Sequence, residues 1–143
     1  MQRLLHEQVY VDTNIVIAAV EAFNSVALDL FRMAERGLVF LMASEITRGE
    51  VLVKPLVNGN DALARRYDAL FDNADMIATI ACDREVIRAA AELSASAGLE
   101  LLDAVHCATA SLAGCTYIVS QDRDMRTYSP IEVLSLDDLK ELS

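Results

Sequence analysis

Four acidic side chains stand where acids are hard to place. Asp12 follows the apolar run Val9, Tyr10, Val11 and precedes Ile15, Val16 and Ile17. Glu50 lies in "TRGEVLVKPL", with Val51, Leu52 and Val53 directly behind it. Asp103 lies in "LLDAVHCATA", where it shares a helical face with His106, Cys107 and Ala110 at i, i+3, i+4 and i+7. Asp122 and Asp124 lie in "VSQDRDM", after the apolar run at 116–120. An ionised carboxylate left dry and unpaired is among the most expensive groups a fold can contain.

Taken singly, each acid has a structural explanation. Asp12 could cap a helix beginning near Thr13. Asp103 could be a first-turn acid favoured by the helix dipole. Glu50 could face solvent, and Asp122 or Asp124 could belong to a turn. Taken together they point to chemistry. Carboxylates gathered within a few ångströms repel, and protonation or a cation relieves the repulsion. An all-oxygen set suits Mg²⁺ or Mn²⁺. Zinc would want nitrogen and sulfur, and the chain has only His6 and His106. Its three cysteines, Cys82, Cys107 and Cys115, lack a Cys-x-x-Cys spacing and read as buried free thiols. His106 itself reads as a packed or hydrogen-bonded core histidine.

Those acids need elements to position them. Five short runs rich in branched and aromatic residues read as strands: 9–11, 38–43, 76–81, 116–120 and 131–136. They are continuous rather than alternating, as in strands covered on both faces. Helical spacing occupies the intervals: a helix beginning near Thr13, then 25–36, 44–54, 60–73, 83–97 and 101–113. Ser44 and Asp83 read as N-caps, Gly98 and Gly114 as stops, and Pro55 as lying just past the end of the 44–54 helix. Alternating strands and helices imply an α/β domain around a mostly parallel sheet, with helices on both faces. Ligands bind such folds at the carboxyl ends of the strands. Asp12 and Asp122 both sit at such ends.

The 143 residues make one domain, 1–143, with enough chain for a single core. An apolar fraction of 54% with 5 Gly and 2 Pro excludes disorder. No run of about 18 apolar residues suggests a membrane span, and "MQRLLHEQ" does not resemble a signal peptide, so a cytoplasmic protein is expected. The net charge of −10 argues against coating nucleic acid or anionic membrane indiscriminately. It leaves open a nucleic-acid enzyme whose acids hold metal cations.

"VDTNIVI", "TRGEVLVKPL", "LLDAVHCATA" and "VSQDRDM", in this order and spacing, resemble the four acidic motifs of PIN-domain nucleases. The resemblance is closest to the small ribonuclease toxins of toxin–antitoxin pairs, the VapC type. It spans residue 9 to about 125, and the apolar run at 131–136 fits the family's closing strand. The resemblance implies a three-layer α/β/α fold with a mostly parallel sheet of about five strands. It implies an Mg²⁺- or Mn²⁺-dependent endoribonuclease, with an RNA substrate, a small antitoxin partner and a homodimer.

Carried over motif by motif, Asp12 and Asp103 would be the principal metal ligands, with Glu50 and Asp122 completing the catalytic set. Thr13, Asn14 and Ser120 would orient those carboxylates and the scissile phosphate. The family's fourth motif often carries an aromatic residue where Met125 stands here. The Ser120-Gln121-Asp122 spacing favours Asp122 as the fourth ligand, with Asp124 the alternative. Arg48, Lys54, Arg123 and Arg126 are candidates for phosphate contacts.

Three other readings compete. A non-catalytic PIN-like module binding RNA or protein would have lost an acid, and all four are present. An aspartate-nucleophile phosphatase needs a second Asp where Asn14 stands. A receiver domain needs an adjacent acidic pair after its first strand and a Lys after its last, and the chain has neither.

Overall fold

A computed structural model describes residues 1–142. Five strands form one sheet: β1 (Gln8–Val11), β2 (Phe40–Ser44), β3 (Ala78–Ile80), β4 (Tyr117–Val119) and β5 (Glu132–Leu134). Their order is β3-β2-β1-β4-β5, and every neighbouring pair is parallel. Among the described residues eight α-helices connect and cover them: α1 (Thr13–Val20), α2 (Ser25–Glu35), α3 (Glu45–Val57), α4 (Asp61–Asp72), α5 (Arg84–Ala97), α6 (Leu101–Leu112), α7 (Arg123–Tyr128) and α8 (Leu136–Glu141). The expected α/β fold is present, and its sheet is wholly parallel.

The three layers follow from the pleat. Val9 and Val11 of β1 join one apolar cluster, with Leu41, Ala43, Val119 and Leu134, beneath residues of α1, α2, α4 and α8. Tyr10 between them faces the other side, with Ile118 and Val133, beneath α5, α6 and α7. Alternate side chains point to opposite faces, so an unbroken apolar strand fills two cores at once. The strand order reverses between β1 and β4, where Val11 pairs with Val119. The carboxyl ends of two adjacent strands thus open a crevice at this switch point.

Several local expectations hold. Asp83 caps α5 by accepting from Val86 N, and Gly98 ends that helix at a φ of 78°, which costs glycine little. Cys107 and Cys115 are buried free thiols, and Cys82 is half-buried and also free.

Other expectations need correction. The third helix does not stop before Pro55 but runs through it to Val57. Proline there forfeits one N–H bond. Its ring is buried on the same face as Thr47 and Val51, and its carbonyl accepts from Asn60 N at 2.8 Å, closing the chain into the turn. Two short helices, α7 and α8, replace what read as a turn and as the end of the last strand. Ser135 leaves the strand and makes a reciprocal capping box with Asp138.

No single helix among the described residues is long and apolar enough to cross a membrane. Helices α1 and α2 reach that length only together, and they bend by 97° at their junction.

Candidate active site

Asp12 is the first residue after β1, and it is both a cap and the centre of a polar cluster. Its Oδ1 accepts from Thr13 N at 2.8 Å, which starts α1. Its Oδ2 accepts from Ser120 Oγ at 2.7 Å and from Asn14 Nδ2 at 3.2 Å. Ser120 is the first residue after β4, so this bond crosses the switch point. Only 6% of Asp12 is exposed, yet the donors leave it well solvated by protein.

The remaining acids approach from three helices. Asp122 caps α7, its Oδ1 accepting from Met125 N at 2.9 Å, while its own N–H donates to Ser120 Oγ at 3.0 Å. Glu50, on α3, accepts from Thr13 Oγ1 at 2.7 Å and makes a 3.0 Å bond with His106 Nε2, both through Oε1. Asp103 lies in the first turn of α6, one turn before His106. The α1 start, the α3 middle, the α6 start and the α7 start therefore meet at one sheet edge.

Electrostatics reports the same convergence. Burial pushes the Asp103 carboxyl up, and the charges of Asp122 and Asp12 push further, to about 6. Burial alone would raise Glu50 too, but the hydrogen bonds from His106 and Thr13 outweigh it and hold that carboxyl below its ordinary value. Burial alone would lower His106, yet its bond to Glu50 and the nearby charge of Asp12 hold it above the usual histidine value. His106 Nε2 lies 3.6 Å from Asp12 Oδ1 as well. The Cys107 thiol, on the same helix, is pushed by burial up to about 11 and is chemically quiet.

Not every residue singled out from the sequence joins this group. Asp124 is exposed on α7 and is not among the charges acting on Asp103, whereas Asp122 is. Arg48 bonds Asp68 and Asp72 of α4 at 2.9 and 2.8 Å. Arg126 bonds Asp138 of α8 at 3.0 Å. Lys54 and Arg123 are exposed and form no ion pair among the described residues.

Sequence reasoning missed Tyr10, whose hydroxyl meets His106 Nδ1 at 2.5 Å, and Gln121, whose N–H donates to Asn14 Oδ1 at 3.2 Å. A tyrosine in the centre of a doubly covered strand was the available signal, because a buried phenol needs a partner.

A model of the PIN domain matches residues 9–129, which span all four acidic segments. The chain belongs to the PIN-domain family. No curated protein matches the sequence.

Solved structures share the PIN fold at low identity. A chain of the Rickettsia felis VapBC2 complex, bound to a promoter DNA fragment, superposes with a TM-score of 0.72 at 12% identity, covering 90% of this chain and 98% of that one. A Klebsiella pneumoniae toxin–antitoxin complex gives 0.69 at 20% identity, over 90% and 97%. Mycobacterium tuberculosis VapC20, a toxin that cleaves the sarcin–ricin loop, gives 0.67 at 17% identity, over 83% and 93%.

The donor set of this PIN domain fits a hard divalent cation in kind. Among the described residues, Glu50 Oε2 and Asp122 Oδ2 accept no hydrogen bond, and the Asp103 side chain forms none. Oxygen is thus available from three acids, of which Asp122 raises Asp103 by its charge. As placed, no three acids among the described residues stand close enough together to hold one ion.

Proposed function

We propose that this PIN domain is an Mg²⁺- or Mn²⁺-dependent endoribonuclease, and the toxin of a type II toxin–antitoxin pair. One observation carries the proposal. Asp12, Glu50 and Asp122 are joined at the switch point by one hydrogen-bond network through Thr13 and Ser120, and the half-buried Asp103 beside it is raised to about 6, first by burial and then by the charges of Asp122 and Asp12. The biological setting is supported by structural neighbours that are two toxin–antitoxin complexes and a toxin.

Asp12, Asp103, Glu50 and Asp122 would hold the cation, with Asp124 as the less favoured substitute for Asp122. When bound, the cation supplies positive charge against the phosphodiester and lowers the pKa of water. Ser120 and Asn14 fix the rotamer of Asp12, and Thr13 fixes that of Glu50. Glu50 or Asp122 would take the proton from the attacking water. Lys54 and Arg123, which have no acidic partner among the described residues, suit the flanking phosphates. Arg48 and Arg126 would first have to leave surface ion pairs, each worth about 0–1 kcal/mol.

The assembly belongs to the same reading. Val53, Leu56 and Val57 near the end of α3 are 61, 64 and 79% exposed, an apolar surface suited to a second copy or an antitoxin segment. Helix α1, by contrast, buries Ile15 and Val16. A toxin acting on the RNA of its own cell would work in the cytoplasm.

The alternative is a catalytically inactive PIN-like RNA- or protein-binding module. The absence of a ready three-acid cluster among the described residues is the observation in its favour.

The deciding experiment incubates the purified chain with total RNA in Mg²⁺, in Mn²⁺ and in EDTA, beside Asp12→Asn, and maps the new ends. Hydrolysis that expels the 3′ oxygen leaves 5′-phosphate and 3′-hydroxyl ends only in the wild-type, metal-containing reactions. Equal cleavage by the variant, or cleavage surviving EDTA, overturns the assignment.

A further inference from the structure

Tyr10 and His106 are polar groups sealed beneath the acids, and the functional reading above gives neither of them a task. Tyr10 is fully buried and His106 is 2% exposed. Their rings are tilted by 60° with centroids 5.7 Å apart. The phenol oxygen lies 2.5 Å from His106 Nδ1. The same oxygen accepts from the backbone N–H of Ser44 at 3.2 Å. Ser44 is itself the N-cap of α3, the helix that carries Glu50. His106 Nε2 then reaches Glu50 Oε1 at 3.0 Å. The chain of contacts joins β1, the head of α3, α6 and the middle of α3.

Donor accounting gives this chain a direction. A backbone N–H can only donate, so the phenol oxygen receives the Ser44 hydrogen. Thr47 Oγ1, a buried hydroxyl that acts on the same phenol and has no other partner among the described residues, can donate to its second lone pair, which leaves the phenol's own hydrogen for Nδ1 to accept. A neutral imidazole that accepts at Nδ1 carries its hydrogen at Nε2. From the other end the answer is the same, because an ionised Glu50 has no hydrogen to give and needs a donor at Nε2.

We propose that Tyr10 and His106 are positioning residues: Ser44 N–H fixes Tyr10, Tyr10 fixes the His106 tautomer, and His106 Nε2–H clamps Glu50 Oε1. Two donors, Thr13 Oγ1 and His106 Nε2, then saturate Oε1 and hold the side chain in one rotamer, with Oε2 left without a donor among the described residues. His106 Nε2 is a donor and not a cation ligand, although it adjoins both Asp12 and Glu50. The catalytic consequence rests on the nuclease reading above, whereas the tautomer and the rotamer do not.

Two measurements keep those apart. Nitrogen-15 NMR of the wild-type ring, at alkaline pH where imidazole is neutral, reads the tautomer without RNA or metal. The expected result is Nε2–H with Nδ1 accepting, and an altered Nδ1 resonance in Tyr10→Phe. A protonated Nδ1 in the wild type overturns the relay even if the protein cleaves RNA.

Glu50 side-chain scalar couplings should report one rotamer in the wild type and in His106→Gln, whose amide can still donate. They should report averaging in His106→Leu. Unchanged couplings in a folded His106→Leu overturn the clamp.

With RNA, Tyr10→Phe should lower kcat about 10-fold and His106→Leu about 100-fold with KM unchanged, the usual range for groups that orient metal-site ligands. His106→Gln should recover most of the loss. A wild type that cleaves nothing defeats the function proposed above and leaves the NMR tests of the relay standing. Full activity in Tyr10→Phe and His106→Leu removes both residues from the mechanism.

Discussion

Replacing Asp103 by Asn should stabilise the metal-free protein, and the gain should depend on pH in a fixed direction. The native Asp103 carboxyl is raised from an ordinary 3.8 up to about 6 by burial and by the charges of Asp122 and Asp12. The folded protein thus binds that proton more tightly than the unfolded chain. The associated stability is complete below about pH 4 and is lost as pH rises through 6. Two pH units convert to an upper bound of about 3 kcal/mol. Asp103 is only half-buried, so solvent screening reduces this to about 1 kcal/mol. For a chain of this size that is roughly 3 °C in Tm. The assay is thermal unfolding of wild type and Asp103→Asn in EDTA, from pH 4 to pH 8. The two curves should meet near pH 4, diverge through pH 6 and run parallel above pH 7. A constant offset, or an Asn variant less stable at pH 7.5, would refute the idea that these acids repel at one site.

Asp12→Asn should behave in the opposite way, because its carboxylate accepts from Thr13 N, Asn14 Nδ2 and Ser120 Oγ. An amide there turns donor against donor, and urea titration should show a loss of about 1–3 kcal/mol. Mg²⁺ or Mn²⁺ should raise the wild-type Tm by mass action and leave Asp12→Asn and Asp103→Asn unmoved, as differential scanning fluorimetry would show. An arginine of the proposed antitoxin that reached Glu50 would pair with its carboxylate, so Glu50→Gln should abolish RNA cleavage and weaken that partner by about 1–3 kcal/mol, measured by cleavage and titration calorimetry side by side. Sedimentation at micromolar concentration should show a dimer that Leu56→Lys disperses.

The acids were legible in the sequence because strand ends are. Asp12 and Asp122 follow apolar runs that must lie inside a sheet, so their placement at its carboxyl edge needed no knowledge of which strands pair. The cap on α5 and the stop at Gly98 were legible for a similar reason, since both are set by a few neighbouring residues. Helices α7 and α8 were not. Each has only six residues, too few for apolar periodicity to register, and each is started by a cap at a strand end. Pro55 misled because its missing N–H is a local property, while the burial of its ring alongside Val51 is a tertiary one.

The least legible feature is the line from Tyr10 to Glu50, and the reason bears on how the site works. Tyr10 and His106 are 96 positions apart, and nothing in "VYV" or "DAVHCATA" indicates that one ring will meet the other. Only the pleat decides it: Val9 and Val11 face one core, so Tyr10 must face the core where α6 lies. A shift of β1 by one residue would exchange those faces and send the phenol to the α1 side. The register that buries the valines is therefore the same register that supplies His106 with its partner. Strand pairing and the orientation of Glu50 are set by one choice, which ties the geometry of the acids to the stability of the sheet beneath them.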